Sequence, residues 1–352
     1  MSATTSRIVR TSLVPLRSTL PMAETGSLPG PLADVQTLIR TLWESCRARV
    51  QGRDEVIRLI LTALFADGHV LLEDHPGSGK TTLAKALGES IRRPAAADGF
   101  ASFRRIQFTP DLLPSDVTGT TVFDPKTGSF AFRPGPIFAN VVLADEINRT
   151  SPKVQAALLE AMGEKQVTVD NTTHRLEDTF FVLATQNPHD LVGTYPLPRA
   201  QLDRFLYKVT MSYISRESEL AVLERRASAI SGPPAAQVAP EAIAAARGVL
   251  EREVRIPTAI KECLVDISEA LRADPRVRQG ISTRSLVQAM PALRAWAVLE
   301  GRDTVTSEDV AALAVPLFAH RLALAESSLD AQGVVRDCVV AVLARRDGAA
   351  RS

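Results

Sequence analysis

Residues 71–87 read LLEDHPGSGKTTLAKAL, and the fold turns on how this stretch is read. A short apolar run ends in acids, a Gly-Ser-Gly loop follows, and helix-forming residues begin at Lys80. Gly77 and Gly79 let the backbone fold tightly and point several N–H groups at one centre. Such a nest at a helix N-terminus suits the phosphates of a nucleotide. Lys80 would reach the outer phosphates, and the Thr81 hydroxyl would join the shell of a magnesium ion. Pro76 stiffens the turn. Asp74 stands where the strict phosphate-loop pattern opens with Gly, the least demanding position, because the later glycines shape the nest. The candidate nucleotide-binding set is therefore Asp74, His75, Pro76, Gly77, Ser78, Gly79, Lys80, Thr81 and Thr82. The alternative, a surface turn that happens to hold Gly, Lys and Thr, leaves the flanking strand and helix without a purpose.

Working outward, HVLLED (69–74) is a buried strand candidate, and FRRIQFT, VVLADE and FFVLATQN are three more. Each of the last two is an apolar run ending in polar residues. Strands alternating with helical stretches indicate a layered α/β domain with a mainly parallel sheet. Ligands of such sheets collect at the carboxyl ends of the strands, where Asp145, Glu146, Gln186 and Asn187 fall. Upstream, DVQTLIRTLWESCRARV and RDEVIRLILTALFAD carry apolar residues at helical spacing. Two stretches look inserted. TTVFDPKTGSFAFRPG alternates around a Pro125–Gly128 turn, and KQVTVDNTTHRLED does so around Asn171, so each predicts a β-hairpin. From about residue 240 to 345 only helical periodicity remains, which predicts a small all-helical domain. The expected division is a leader over 1–31, an α/β core over 32–228, a Ser/Ala/Pro linker over 229–240 and a helical lid over 241–346.

Bulk composition sets limits. The 352 residues suffice for two domains. Lys plus Arg (41) nearly balance Asp plus Glu (40), so no basic field argues for direct nucleic-acid binding or an anionic membrane. Cys46, Cys263 and Cys338 have no metal or redox spacing and read as buried or free thiols in a reducing compartment. The leader lacks a continuous apolar signal core, and the greasiest stretch, VAALAVPLFAHRLALA, is too short and broken to span a bilayer. A cytoplasmic protein without membrane insertion is expected.

The second half of the site comes from VVLADE. A carboxylate at the end of a buried strand is costly unless it meets a cation. Asp145 would hold magnesium through water, and Glu146 would polarise a water for attack on the outer phosphate. Both acids could instead cap the helix that begins near Ser151–Pro152. A phosphotransferase must exclude water, whereas a hydrolase needs a group that orients it, so Glu146 favours hydrolysis. Asn187 could sit beside that water or the outer phosphate; it could also be a loop Asn before Pro188.

LLEDHPGSGKTTLAKAL, VVLADEINRTSPKVQAALLEAM, VLATQNP and GTYPLPRAQLDRF occur in the order and spacing of the MoxR family of AAA+ ATPases, and the chain resembles that family from about residue 35 to 345. The resemblance implies an AAA+ P-loop NTPase core with β-hairpin inserts and an all-helical lid, working with ATP and Mg²⁺. It implies a homo-oligomeric, hexameric ring of chaperone type whose protein partners often carry a von Willebrand factor A domain. Lys80 and Thr81 match the Walker A residues, Asp145 and Glu146 the Walker B pair, and Asn187 the first sensor. Arg204 in LDRF matches the arginine finger that enters the neighbouring subunit's site, although the sequence by itself would favour a surface ion pair with Asp203 or a nearby acid. Arg284 in GISTRSL matches the second sensor, with Thr283 where the family has Pro. Arg199 stands where an acid is usual. The hairpins would face a central opening or the partner, with Phe123, Phe130 and Phe132 either contacting it or holding the hairpin to its own domain. The alternatives are a motor subunit of a metal-chelatase-like complex and a small-molecule P-loop kinase.

Overall fold

The computed structural model describes residues 28–73, 77–91, 100–187, 193–227, 237–326 and 328–349. Asp74, His75 and Pro76, most of the expected leader, residue 228 of the expected core and residues 229–236 of the expected linker lie outside them. In chain order the strands are β1 (Val70–Glu73), β2 (Ala101–Gln107), β3 (Gly119–Asp124), β4 (Ser129–Pro134), β5 (Ala139–Asp145), β6 (Gln166–Val169), β7 (Thr172–Arg175), β8 (Phe181–Gln186), β9 (Tyr207–Thr210), β10 (Val277–Gln279) and β11 (Ala323–Leu324). The first seven helices are α1 (Pro31–Arg47), α2 (Asp54–Phe65), α3 (Lys80–Ser90), α4 (Pro114–Thr118), α5 (Pro152–Glu164), α6 (Arg199–Leu202) and α7 (Arg216–Ala227). The helical C-terminal region consists of α8 (Pro240–Glu253), α9 (Thr258–Ala273), α10 (Thr283–Leu299), α11 (Ser307–Phe318) and α12 (Ala331–Ala349).

Five strands form one sheet in the order β2-β5-β8-β1-β9, with every pairing parallel. The continuous apolar run of β5 is buried at every position, as a central parallel strand covered on both faces must be. Alternation then divides the side chains between two cores. Val70, Leu72, Val141 and Leu143 face α1, α2, α3 and the C-terminal helices. Leu71, Val142 and Ala144 face α5 and the base of the first hairpin. The C-terminal helices are therefore not isolated from the sheet layer. Arg58 of α2 pairs with Glu300 at the end of α10, and its guanidinium lies 4.8 Å from the Trp296 ring centroid.

Both expected hairpins are present. β3 and β4 pair antiparallel, closed by a turn in which the Gly128 N–H donates to the Asp124 carbonyl at 2.9 Å. Gly128 has φ +65°, a conformation open to Gly and costly for most residues. β6 and β7 pair around Asp170 and Asn171, both at positive φ. One of the three phenylalanines holds its hairpin to the rest of its own domain. Phe132 stacks on His174 of the second hairpin at 3.7 Å between centroids and so joins the hairpins. Phe123 and Phe130 pair across the strands at 5.3 Å and stay 50% and 73% exposed.

Two buried histidines are neutral. The His69 Nδ1 accepts the Val182 N–H at 3.1 Å, which leaves its Nε2 to donate to the Met162 carbonyl at 3.2 Å. Burial pulls the pKa of His69 down to about 4 and that of His320 down to about 3. A depressed native pKa means that the unfolded chain takes up the proton first, so stability is full above the ordinary histidine value and falls as pH drops below it. At pH 5 each histidine is expected to cost about 2 kcal/mol. Urea midpoints at pH 7 and pH 5 measure this, and a flat profile would contradict it. Among the described residues no helix is long and apolar enough to cross a membrane, and Cys46, Cys263 and Cys338 are free and buried.

Candidate nucleotide-binding site

At the carboxyl end of the sheet lies a cleft of about 410 Å³, lined by Gly77, Ser78, Gly79, Lys80, Thr81, Thr82, Arg105, Gln107, Asp145, Glu146, Thr185 and Asn187. β1 delivers the loop, α3 starts at Lys80, β5 ends in Asp145 and β8 leads to Asn187. Gly77 and Gly79 take φ +85° and +93°. A Cβ at Gly77 would meet nothing within 4 Å, and one at Gly79 only Val50 at 3.9 Å. Close packing therefore does not explain these glycines; the left-handed turn that aims N–H groups into the cleft does. The Ser78 hydroxyl is buried without a hydrogen-bond partner, which is costly unless a ligand satisfies it.

Thr185 organises the acids. Its hydroxyl donates to Asp145 Oδ1 at 2.7 Å and accepts the Glu146 N–H at 2.9 Å. That bond holds Glu146 in the left-handed region, φ +58° and ψ +49°, an uncommon conformation for a residue with a side chain. Glu146 thus leaves the strand abruptly, and its carboxylate turns into the cleft instead of running on along β5. The following helix does start at Pro152 with Ser151 as its N-cap, yet neither Asp145 nor Glu146 caps it. Replacing Thr185 by isosteric Val is expected to cost about 1–3 kcal/mol, because a buried N–H loses its acceptor. The urea midpoint reports that loss, and an unchanged midpoint would contradict the assigned bond.

Three further groups were not picked out from the sequence. Arg105 of β2 reaches Asp145 Oδ2 with Nη2 at 2.6 Å and Nε at 3.1 Å. Gln107 donates to Glu146 Oε2 at 3.0 Å, and Arg149 Nε lies 3.1 Å from the same oxygen. β2 is an edge strand, so its polar residues read as a solvated face. Only the parallel register that places Gln107 beside Asp145 reveals that Arg105 and Gln107 lean over the strand end.

Arg204 and Arg284 are not among the residues lining the cleft. Arg204 follows α6, and its Nη1 donates to the Leu159 carbonyl of α5 at 2.7 Å, packed over Gly163 where a Cβ would collide with it. The alternative ion pair with Asp203 is not formed; Asp203 pairs instead with Arg321 at 3.2 Å. Arg284 is exposed in the first turn of α10, whose N-cap Ser282 accepts the Ser285 N–H. Thr283 opens that helix, a place that suits it as well as Pro. Arg199 is exposed at the start of α6.

The donors fit a magnesium nucleotide. Mg²⁺ is ordinarily held by one or two carboxylates together with substrate phosphates, not by an all-protein cage. The cleft offers Asp145 and the Thr81 hydroxyl beside the glycine loop. Among the described residues no group of three or more His, Cys, Asp or Glu gathers as a separate metal site.

Comparison with known proteins gives a concordant result. Residues 69–207 match the ATPase family associated with various cellular activities (AAA), and residues 269–338 match the AAA lid domain. YeaC of Bacillus subtilis is 46% identical over 88% of this chain and 95% of its own length. Chaperone MoxR1 of Mycobacterium tuberculosis is 35% identical over 87% of this chain and 81% of its own. Protein MoxR of Methylorubrum extorquens is 31% identical over 81% of this chain and 89% of its own. A solved structure from Cytophaga hutchinsonii superposes with a TM-score of 0.77 at 35% identity, covering 89% of this chain and 95% of that one. With a phosphate-loop cleft at the end of a parallel sheet, a helical C-terminal region and relatives of this identity over most of its length, the chain belongs to the MoxR family of AAA+ ATPases.

Proposed function

We propose that this protein hydrolyses ATP at the interfaces of a homo-oligomeric, hexameric ring and uses the resulting motion as a cytoplasmic chaperone of protein partners. The observation that carries this reading is a split. The nest, Asp145, Glu146 and Asn187 line one cleft, while Arg204 stands outside it on a separate turn. A hydrolytic centre gathered in one subunit, with an arginine directed elsewhere, suits a site finished by a neighbour.

In that reading Lys80 and the N–H groups of the loop bind the outer phosphates, and Thr81 and Asp145 hold Mg²⁺. The ion supplies neutralisation of the charge on the transferring phosphoryl group. Arg105 now donates to Asp145 Oδ2, a contact that would loosen if Asp145 took up such a cation. Glu146 must likewise exchange Gln107 and Arg149 for the attacking water, whose proton it then accepts. Asn187 orients that water. Arg204 of the adjacent subunit stabilises the departing charge, and Arg284 reports phosphate loss to the lid. The exposed Phe123–Phe130 pair contacts the protein partner, for which a von Willebrand factor A domain is the expected class.

Phosphate release per subunit, measured with Mg-ATP across a range of protein concentrations, tests the reading. A site shared between subunits predicts turnover per subunit that rises with concentration to a plateau. A constant value down to concentrations at which sizing shows only monomer would contradict it. Capture of partners on ATP-loaded Glu146→Gln protein tests the chaperone role, since blocked hydrolysis holds a bound partner in place.

A further inference from the structure

Arg321 closes the short helical turn Ala319–Arg321 that follows α11, and it is only 8% exposed. Its Nη2 donates to the Phe205 carbonyl at 3.0 Å and to Gln288 Oε1 of α10 at 2.9 Å. Its Nε lies 3.2 Å from Asp203 Oδ1, within ion-pair range although not aligned as a hydrogen bond. The preceding residue repeats the grip, for His320 Nε2 donates to the same Phe205 carbonyl at 3.1 Å. Consecutive residues of the C-terminal region therefore hold Asp203 and Phe205, the two neighbours of Arg204. Gln288 stands one helical turn beyond Arg284 on α10, so the two share a face. One buried guanidinium thus links the helix carrying Arg284 to the turn carrying Arg204.

This arrangement is expensive for a purely structural contact. Burial pulls the Arg321 pKa down to about 10, with Asp203 opposing the shift and Arg284 adding to it, so the group stays charged at neutral pH. Its Nη1 has no hydrogen-bond partner. Replacing a buried ion pair by well-packed apolar residues is often neutral or stabilising. What an apolar replacement would not supply is a directional fork between two segments.

We propose that Arg321 is a positioning residue through which α10 sets the orientation of the Arg204 turn. Rotation of α10 in one subunit then alters the arginine that this subunit presents to its neighbour. The proposal rests on Arg204 acting in the adjacent site. It adds the element that ties that arginine to the state of its own subunit.

Mixed assemblies test it, with phosphate release from Mg-ATP as the readout. Arg321→Gln protein alone is expected to bind ATP as the unmodified protein does and to turn over at least tenfold more slowly. Mixed with Glu146→Gln protein it should recover, because its intact Glu146 is then served by a well-held Arg204. Mixed with Arg204→Ala protein it should not recover, because neither subunit offers a well-held arginine. Asp203→Asn, which weakens the same link from its half-exposed end, should reproduce the pattern and replaces Arg321→Gln should that protein not fold. Wild-type turnover of both variants would overturn the proposal. Equal recovery in both mixtures would also do so, as would recovery in neither when Glu146→Gln mixed with Arg204→Ala does recover. Should that reference mixture itself fail, the adjacent-site reading falls and the proposal falls with it.

Discussion

Arg204→Ala protein is expected to bind Mg-ATP normally and to release phosphate roughly 10³-fold more slowly than the unmodified protein, the lower end of what an arginine supplied to a phosphoryl transfer contributes. Arg204 lies outside its own cleft and is anchored by its Nη1 to the Leu159 carbonyl, so its removal leaves the nest, Asp145 and Thr81 untouched. The loss should therefore fall on turnover and not on nucleotide affinity. The folded state should lose about 1–3 kcal/mol, the worth of a single partly buried bond from a charged donor, and stay folded. ATP affinity by fluorescence and turnover by phosphate release separate the two effects. A parallel loss of both would place Arg204 in a different role.

Glu146→Gln should slow phosphate release by about 10²–10⁴-fold, the range that a positioned general base contributes. The amide keeps the size of the carboxylate and can still meet Arg149 through its oxygen, but it cannot take a proton from water. The backbone bond from Glu146 N–H to Thr185 is unaffected by the change, so the left-handed turn is retained. ATP should bind at least as tightly, and the bound nucleotide should stay uncleaved. Cleaved nucleotide accumulating on the Glu146→Gln protein at the normal rate would show that another group activates the water.

The fold was legible where burial writes itself into sequence. VVLADE is apolar up to its acids because β5 is covered on both faces, and TTVFDPKTGSFAFRPG carries two strand-like runs around a turn because it forms an antiparallel hairpin. The glycine loop was legible because few residues other than glycine accept φ near +90°. The missing parts are contacts between segments. Thr185 looks like any strand threonine until β8 is laid beside β5, where its hydroxyl meets Asp145 and the Glu146 N–H. Arg105 and Gln107 look like solvated edge residues until the register with β5 is known. Arg321, in a greasy stretch far from the glycine loop, gives no local sign that it reaches the turn at Arg204. The packing of α1 and α2 against α8 and α10 escaped for a similar reason, since an amphipathic pattern states that a face is buried and not what buries it.

The central claim is that one subunit's Glu146 and another's Arg204 complete a single site. Phosphate release by an equimolar mixture of Glu146→Gln and Arg204→Ala proteins, each nearly inactive alone, measures this directly. Random assembly should place an intact Glu146 beside an intact Arg204 at some interfaces, and turnover should rise well above the sum of the two separate proteins. A mixture no more active than that sum, under conditions where the two proteins co-assemble, would contradict the account.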